Sequence, residues 1–104
     1  MQRVLRGRDV EKGEASEQTV QITNQRGLHA RASAKFVAAV ARLPETVKVH
    51  VSKDDNEVTG SSIMGLMMLG AARGDSITIR VEGEGEDAAL KKLVGLVMDG
   101  FGED

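Results

Sequence analysis

Alternation of apolar and polar residues marks four stretches of this chain as strands. Val20 and Ile22 alternate with Thr19, Gln21 and Thr23, the period-two pattern of a strand with one buried face. Val47, Val49 and Val51 repeat the pattern, with Lys48, His50 and Ser52 facing the other way. After the turn Asp54-Asp55-Asn56 comes the short returning strand Glu57-Val58-Thr59, and Ile77, Ile79 and Val81 make the fourth. Helical patterns lie between them. Residues 30–43 are Ala-rich, with Ala34, Val37, Ala38 and Ala41 at helical spacing. Pro44 closes that helix, because the residue before a proline is pushed out of the α region. Ser61-Ser62 reads as a helix start before the apolar run from Ile63 to Leu69. Glu86-Asp87 opens a last helix with Ala89, Leu90, Leu93, Leu96 and Val97 on one face. The order is β-α-β-β-α-β-α. Each strand has one apolar face, so helices should cover one side of the sheet while water wets the other, an α+β arrangement.

Composition narrows this picture. The chain has 104 residues, near the size of one domain. Residues 1–18 mix four basic with four acidic side chains and offer only Val4, Leu5 and Val10 for packing. They read as a mobile extension before a domain spanning 19–104. Phe occurs twice and Tyr and Trp are absent, so an aliphatic core of Val, Ile, Leu, Met and Ala is expected. Fourteen basic residues against sixteen acidic ones give a net charge of −2, which offers no global basic field for nucleic acid. The absence of Cys excludes disulfides, thiolate metal sites and cysteine nucleophiles. Nothing has the length of a membrane span, and the first residues are too polar for a secretory signal. A cytoplasmic protein is expected.

Two histidines are candidates for chemistry. His50 alternates with core valines and should point to solvent on the open sheet face. His29 lies in Asn24-Gln25-Arg26-Gly27-Leu28-His29-Ala30-Arg31, where a glycine turn meets the first helix. One reading is a residue that merely caps that helix. Its surroundings favour another. No Ser, Thr or Asp occupies the expected cap position, so the first N–H groups stay open to an anion. Arg26 and Arg31 flank the site and can engage phosphate oxygens in bidentate fashion. A neutral imidazole beside such a cradle is a chemically sensible phosphoryl acceptor. In the run from Gly60 to Gly70, Leu66 and Leu69 can supply a buried face, which leaves Ile63, Met64 and Met67 for an adaptable docking patch. A fully buried helix is the competing reading. Ser62 is an N-cap in either case, and a phosphorylation site at the edge of the patch in the docking reading. Gly83-Glu84-Gly85-Glu86-Asp87-Ala88 superficially resembles a dinucleotide turn, but its acidic side chains would repel a pyrophosphate. No nucleotide loop or metal-ligand cluster is visible, so no cofactor or metal is expected, and an acceptor at His29 would have to be charged and discharged by partner proteins.

These residues resemble the histidine-containing phosphocarrier proteins (HPr) of the bacterial phosphoenolpyruvate phosphotransferase system, from about Val20 to the C-terminus. Gly27-Leu28-His29-Ala30-Arg31 matches the family's active-site motif, and Gly60-Ser61-Ser62-Ile63-Met64-Gly65-Leu66-Met67 its regulatory-serine motif. The resemblance implies the family's open-faced β-sandwich, a four-stranded antiparallel sheet with three helices on one face. It implies phosphate on Nδ1 of His29, with Arg31 helping to hold it, and a regulatory serine at Ser62. The implied partners are Enzyme I as donor, an EIIA-type domain as acceptor, and HPr kinase/phosphorylase at Ser62, with the chain acting as a monomer and not as an independent enzyme. One departure is Ala32, where the family usually has proline. The closing Gly100-Phe101-Gly102-Glu103-Asp104 is similar to the nitrogen-related branch (NPr), so sugar uptake and nitrogen regulation both stand as roles. A regulatory binding module governed by Ser62 is the alternative function. A small hydrolase using His29 ranks below both, as no second acid or base accompanies it.

Overall fold

The computed structural model describes residues 14–103. Strands β1 (Ala15–Gln21), β2 (Lys48–Lys53), β3 (Asn56–Thr59) and β4 (Ser76–Glu82) form one antiparallel sheet in the order β1-β4-β2-β3. Helices α1 (Ala30–Ala41), α2 (Ile63–Met68) and α3 (Glu86–Met98) complete the expected β-α-β-β-α-β-α order, and a short turn at Gly100–Gly102 follows α3. Val49, Val51, Ile77, Ile79 and Val81 are buried on one sheet face beneath Leu66, Leu90, Leu93 and Val97 of the helices. His50 and Arg80 sit on the open face, where the His50 ring lies 3.9 Å from a Glu82 oxygen. The alternation seen in the strands therefore does decide which side the helices cover.

Three expectations need correction. Residues 15–18, expected within the extension, instead belong to β1, with Ala15 paired to Glu82 and Gln18 to Ile79. Glu14 also accepts a hydrogen bond from the Gly83 N–H at 2.8 Å. Backbone pairing on a sheet edge needs no apolar side chain, so the polar residues 15–18 gave no period-two signal. Residues 1–13 and 104 lie outside the described residues. The second correction concerns α1, whose buried face is Ala32, Ser33 and Phe36, while Ala34, Ala38 and Ala41 are exposed. The third concerns the core. Phe36 and Phe101 are the two largest fully buried side chains, whereas Met64, Met67, Met68 and Met98 are all exposed.

Candidate functional site

Gly27 brings the chain into α1. Its φ is +64°, and a Cβ there would lie 2.3 Å from the Ala71 carbonyl oxygen, so only glycine fits this close approach. Leu28 N–H donates to that same carbonyl at 2.9 Å, two residues past the C-cap of α2. The histidine loop and the methionine-bearing helix are thus hydrogen-bonded neighbours. Ser33 ties the loop from the other side, its Oγ donating to the Leu28 carbonyl at 3.2 Å and its N–H to the His29 carbonyl at 2.9 Å.

His29 is the N-cap residue of α1, in extended backbone conformation, and its side chain makes no cap hydrogen bond. The first N–H groups of the helix therefore have no side-chain acceptor. Its imidazole lines a cavity of about 360 Å³ together with Gln25, Arg26, Arg31, Lys35, Gly102 and Glu103. Three cations surround one histidine and one carboxylate. Among the described residues, neither Arg26 nor Arg31 has a carboxylate within ion-pair distance, so both guanidiniums are available to an incoming anion. Ala32 is fully buried in the first turn, where a backbone N–H has no intrahelical partner. Alanine in place of the family's proline therefore breaks no intrahelical hydrogen bond.

Glu103 is the residue that the sequence reading passed over. Its Oε2 lies 2.9 Å from His29 Nε2, and its Oε1 accepts from Asn24 Nδ2 at 3.1 Å. A carboxylate can only accept, so for a neutral ring this bond puts the proton on Nε2 and the lone pair on Nδ1. Partial burial pushes the Glu103 carboxyl up. The hydrogen bonds from Asn24 and His29, with the charges of His29 and Lys35, outweigh that and hold it below the usual carboxylate range. The only sequence signal was a carboxylate one residue past a Gly-Phe-Gly turn.

Ser62 caps α2, its Oγ accepting from the Gly65 N–H at 2.9 Å. In α2, Leu66 is fully buried and Leu69 nearly so, while Ile63, Met64 and Met67 are 39%, 69% and 41% exposed. That separation favours an open patch over a fully buried helix, and Met68, at 79% exposed, widens it. His50 belongs to the opposite face of the sheet, away from these groups. The glycines at 83 and 85 both have positive φ and form a turn into α3, as read from the acidic side chains there.

An open, cation-lined cavity around a histidine held by a carboxylate is the arrangement of a small anion-handling protein. The family model "PTS HPr component phosphorylation site" matches residues 16–99. The phosphocarrier protein HPr of Neisseria meningitidis is 44% identical over 86 residues, covering 83% of this chain and 94% of that protein. HPr of Pseudomonas aeruginosa is 45% identical over 84 residues, covering 81% and 92%. The crystal structure of an HPr from Thermoanaerobacter tengcongensis superimposes with a TM-score of 0.79 at 39% identity, covering 86% of this chain and 98% of that one. This chain belongs to the HPr family of phosphocarrier proteins of the phosphotransferase system. Its relatives are named as phosphocarriers and not as independent enzymes, and no helix among the described residues is long and apolar enough to cross a membrane.

Proposed function

We propose that His29 is the phosphoryl acceptor, charged from phosphoenolpyruvate through Enzyme I and discharged to an EIIA-type domain, with Arg31 neutralising the phosphoryl oxygens. The observation that carries this reading is the His29 ring, tautomerically fixed by Glu103, in a cavity that also holds Arg26, Arg31 and Lys35. Positioning and charge stabilisation dominate phosphoryl transfer, and this cavity offers both. Ile63, Met64 and Met67 dock the partners, because the hydrogen bond from Leu28 to Ala71 keeps α2 beside the histidine loop. Phosphorylation of Ser62 by HPr kinase/phosphorylase modulates that docking. The protein works in the cytoplasm as a monomer that hands phosphate between two larger partners. Its C-terminal Gly-Phe-Gly-Glu sequence resembles that of the nitrogen-related branch and supports a role there beside sugar uptake.

The test is incubation with phosphoenolpyruvate and purified Enzyme I. His29→Ala should abolish acid-labile phosphate uptake, and His50→Ala should leave it intact. Arg31→Ala should keep the acceptor but slow transfer by about tenfold or more, the effect of one charge-assisted contact. Full uptake by His29→Ala would overturn the acceptor assignment. Offering the phosphorylated protein to sugar-specific and nitrogen-related EIIA domains decides the branch.

A further inference from the structure

The C-terminal turn is built with more constraint than a chain end needs. Gly100, Phe101 and Gly102 are all left-handed, at φ +64°, +58° and +72°. The Phe101 ring is fully buried, and Lys35 Nζ of α1 donates to the Phe101 carbonyl at 2.8 Å. Asn24, itself 4% exposed, gives one Nδ2 hydrogen bond to the Gly27 carbonyl at 2.9 Å and another to Glu103 Oε1. Two anchors thus hold a single carboxylate, one oxygen on Asn24 and the other on His29. A residue in the αL region that is not glycine carries backbone strain, and the fold tolerates it where the turn delivers Glu103.

Resting on the carrier reading, we propose that Glu103 is a positioning residue for phosphoryl transfer at His29, with Lys35 and Asn24 locking it in place. It selects the attacking nitrogen and neutralises the charge that the ring acquires. In the forward step the Nδ1 lone pair forms the N–P bond while the bond from phosphorus to the donor protein breaks, its electron pair leaving with the donor. The proton stays on Nε2. The ring becomes a 1-phosphoimidazolium whose positive charge lies against the Glu103 carboxylate, as an aspartate supports a histidine in a hydrolytic triad. In onward transfer the N–P electron pair returns to Nδ1 and the ring leaves as neutral imidazole, its proton still on Nε2. No net proton moves in either step. The charged groups facing the ring are Arg26, Arg31, Lys35 and Glu103, so three cations against one carboxylate leave the cavity net positive for the phosphate. Glu103 binds the ring at Nε2, the nitrogen that does not take the phosphoryl group.

The carrier reading and this one separate experimentally when the phosphate donor is a small molecule. Treatment with potassium phosphoramidate, followed by 31P and 15N NMR, reports which ring nitrogen is modified without any partner protein. The native chain should be modified on Nδ1. Glu103→Leu should raise the share of Nε2 product about tenfold, the weight of one charge-assisted hydrogen bond. Glu103→Gln, which can still accept from Nε2–H, should keep the Nδ1 product but form it about tenfold more slowly, because the charge is lost. Lys35→Met should shift the product ratio in the same direction as Glu103→Leu, by less. Melting curves confirm that each variant is folded. Modification of the native chain on Nε2, or an unchanged product and rate in both Glu103 variants, overturns the proposal. Failure of the native chain to accept phosphate from Enzyme I would instead overturn the carrier reading alone.

Discussion

Truncating Phe101 tests how the end of the chain serves the fold. The ring is fully buried, packed in the same core as Phe36 and Val97, although the residue lies beyond the last helix. Phe101→Ala removes a buried aromatic side chain and leaves a cavity, which costs about 3–5 kcal/mol. Domains of this size have roughly 5–15 kcal/mol in total. At about 4–8 °C per kcal/mol, the melting temperature should fall by roughly 12–40 °C. The backbone adds a sharper criterion. Phe101 sits at φ +58°, where any L side chain is strained by about 1–2 kcal/mol and glycine is not. Glycine also loses about 0.4–1 kcal/mol more through unfolded-chain entropy. Phe101→Gly should therefore equal Phe101→Ala in stability or exceed it by up to about 1.5 kcal/mol, the reverse of the usual order in helices. Urea unfolding of the three proteins followed by circular dichroism measures both differences. A loss below about 1 kcal/mol in Phe101→Ala would refute the burial argument. A Gly variant clearly weaker than the Ala variant would refute the backbone argument.

Two substitutions in α2 should behave oppositely. Met64→Ala, at a side chain 69% exposed, should change stability by less than about 0.5 kcal/mol while weakening Enzyme I binding in calorimetric titration. Leu66→Ala, at a fully buried side chain, should cost about 2–5 kcal/mol, and similar melting temperatures for the two would sink the patch assignment. Ser62→Asp keeps an N-cap acceptor for the Gly65 N–H, so stability should hold within about 0.5 kcal/mol. Enzyme I affinity should nevertheless drop about tenfold, because a partner face must desolvate or repel the new charge; unchanged affinity would remove Ser62 from the docking edge. Glu103 contributes a pH dependence. Its folded carboxyl titrates below its unfolded value, so its contribution is complete above the unfolded value and is lost as pH falls through the folded one. Glu103→Gln should flatten that part of the acid limb in urea titrations stepped from about pH 7 to 2, and an unchanged slope would show that the carboxylate is not held.

The legible parts of this protein are those whose signal is local. Val49 and Val51, or Ile77 and Ile79, announce a one-faced strand because side chains alternate every residue. The junction Gly27-Leu28-His29 announces an uncapped helix start because cap chemistry is carried by the residues at the cap. Tertiary structure decided the rest. The exposure of Met64 and Met67 was one of two readings the apolar run left open, and the packing of Leu66 and Leu69 decided it. In α1, nine of the twelve positions are Ala, Val or Phe, so periodicity could not rank the faces. Phe36 chose, being the one side chain large enough to fill the space under the sheet, and small Ala32 and Ser33 let the helix approach. The start of β1 was invisible because an edge strand is held by backbone pairing to β4, which is indifferent to the polarity of residues 15–18. The carboxylate beside His29 was invisible for a deeper reason. Glu103 and His29 are 74 residues apart in the chain, and only the burial of Phe101 in a left-handed turn, tied down by Lys35, closes that distance. No periodicity encodes a contact of that kind; it exists only once the core against which the chain end folds has formed.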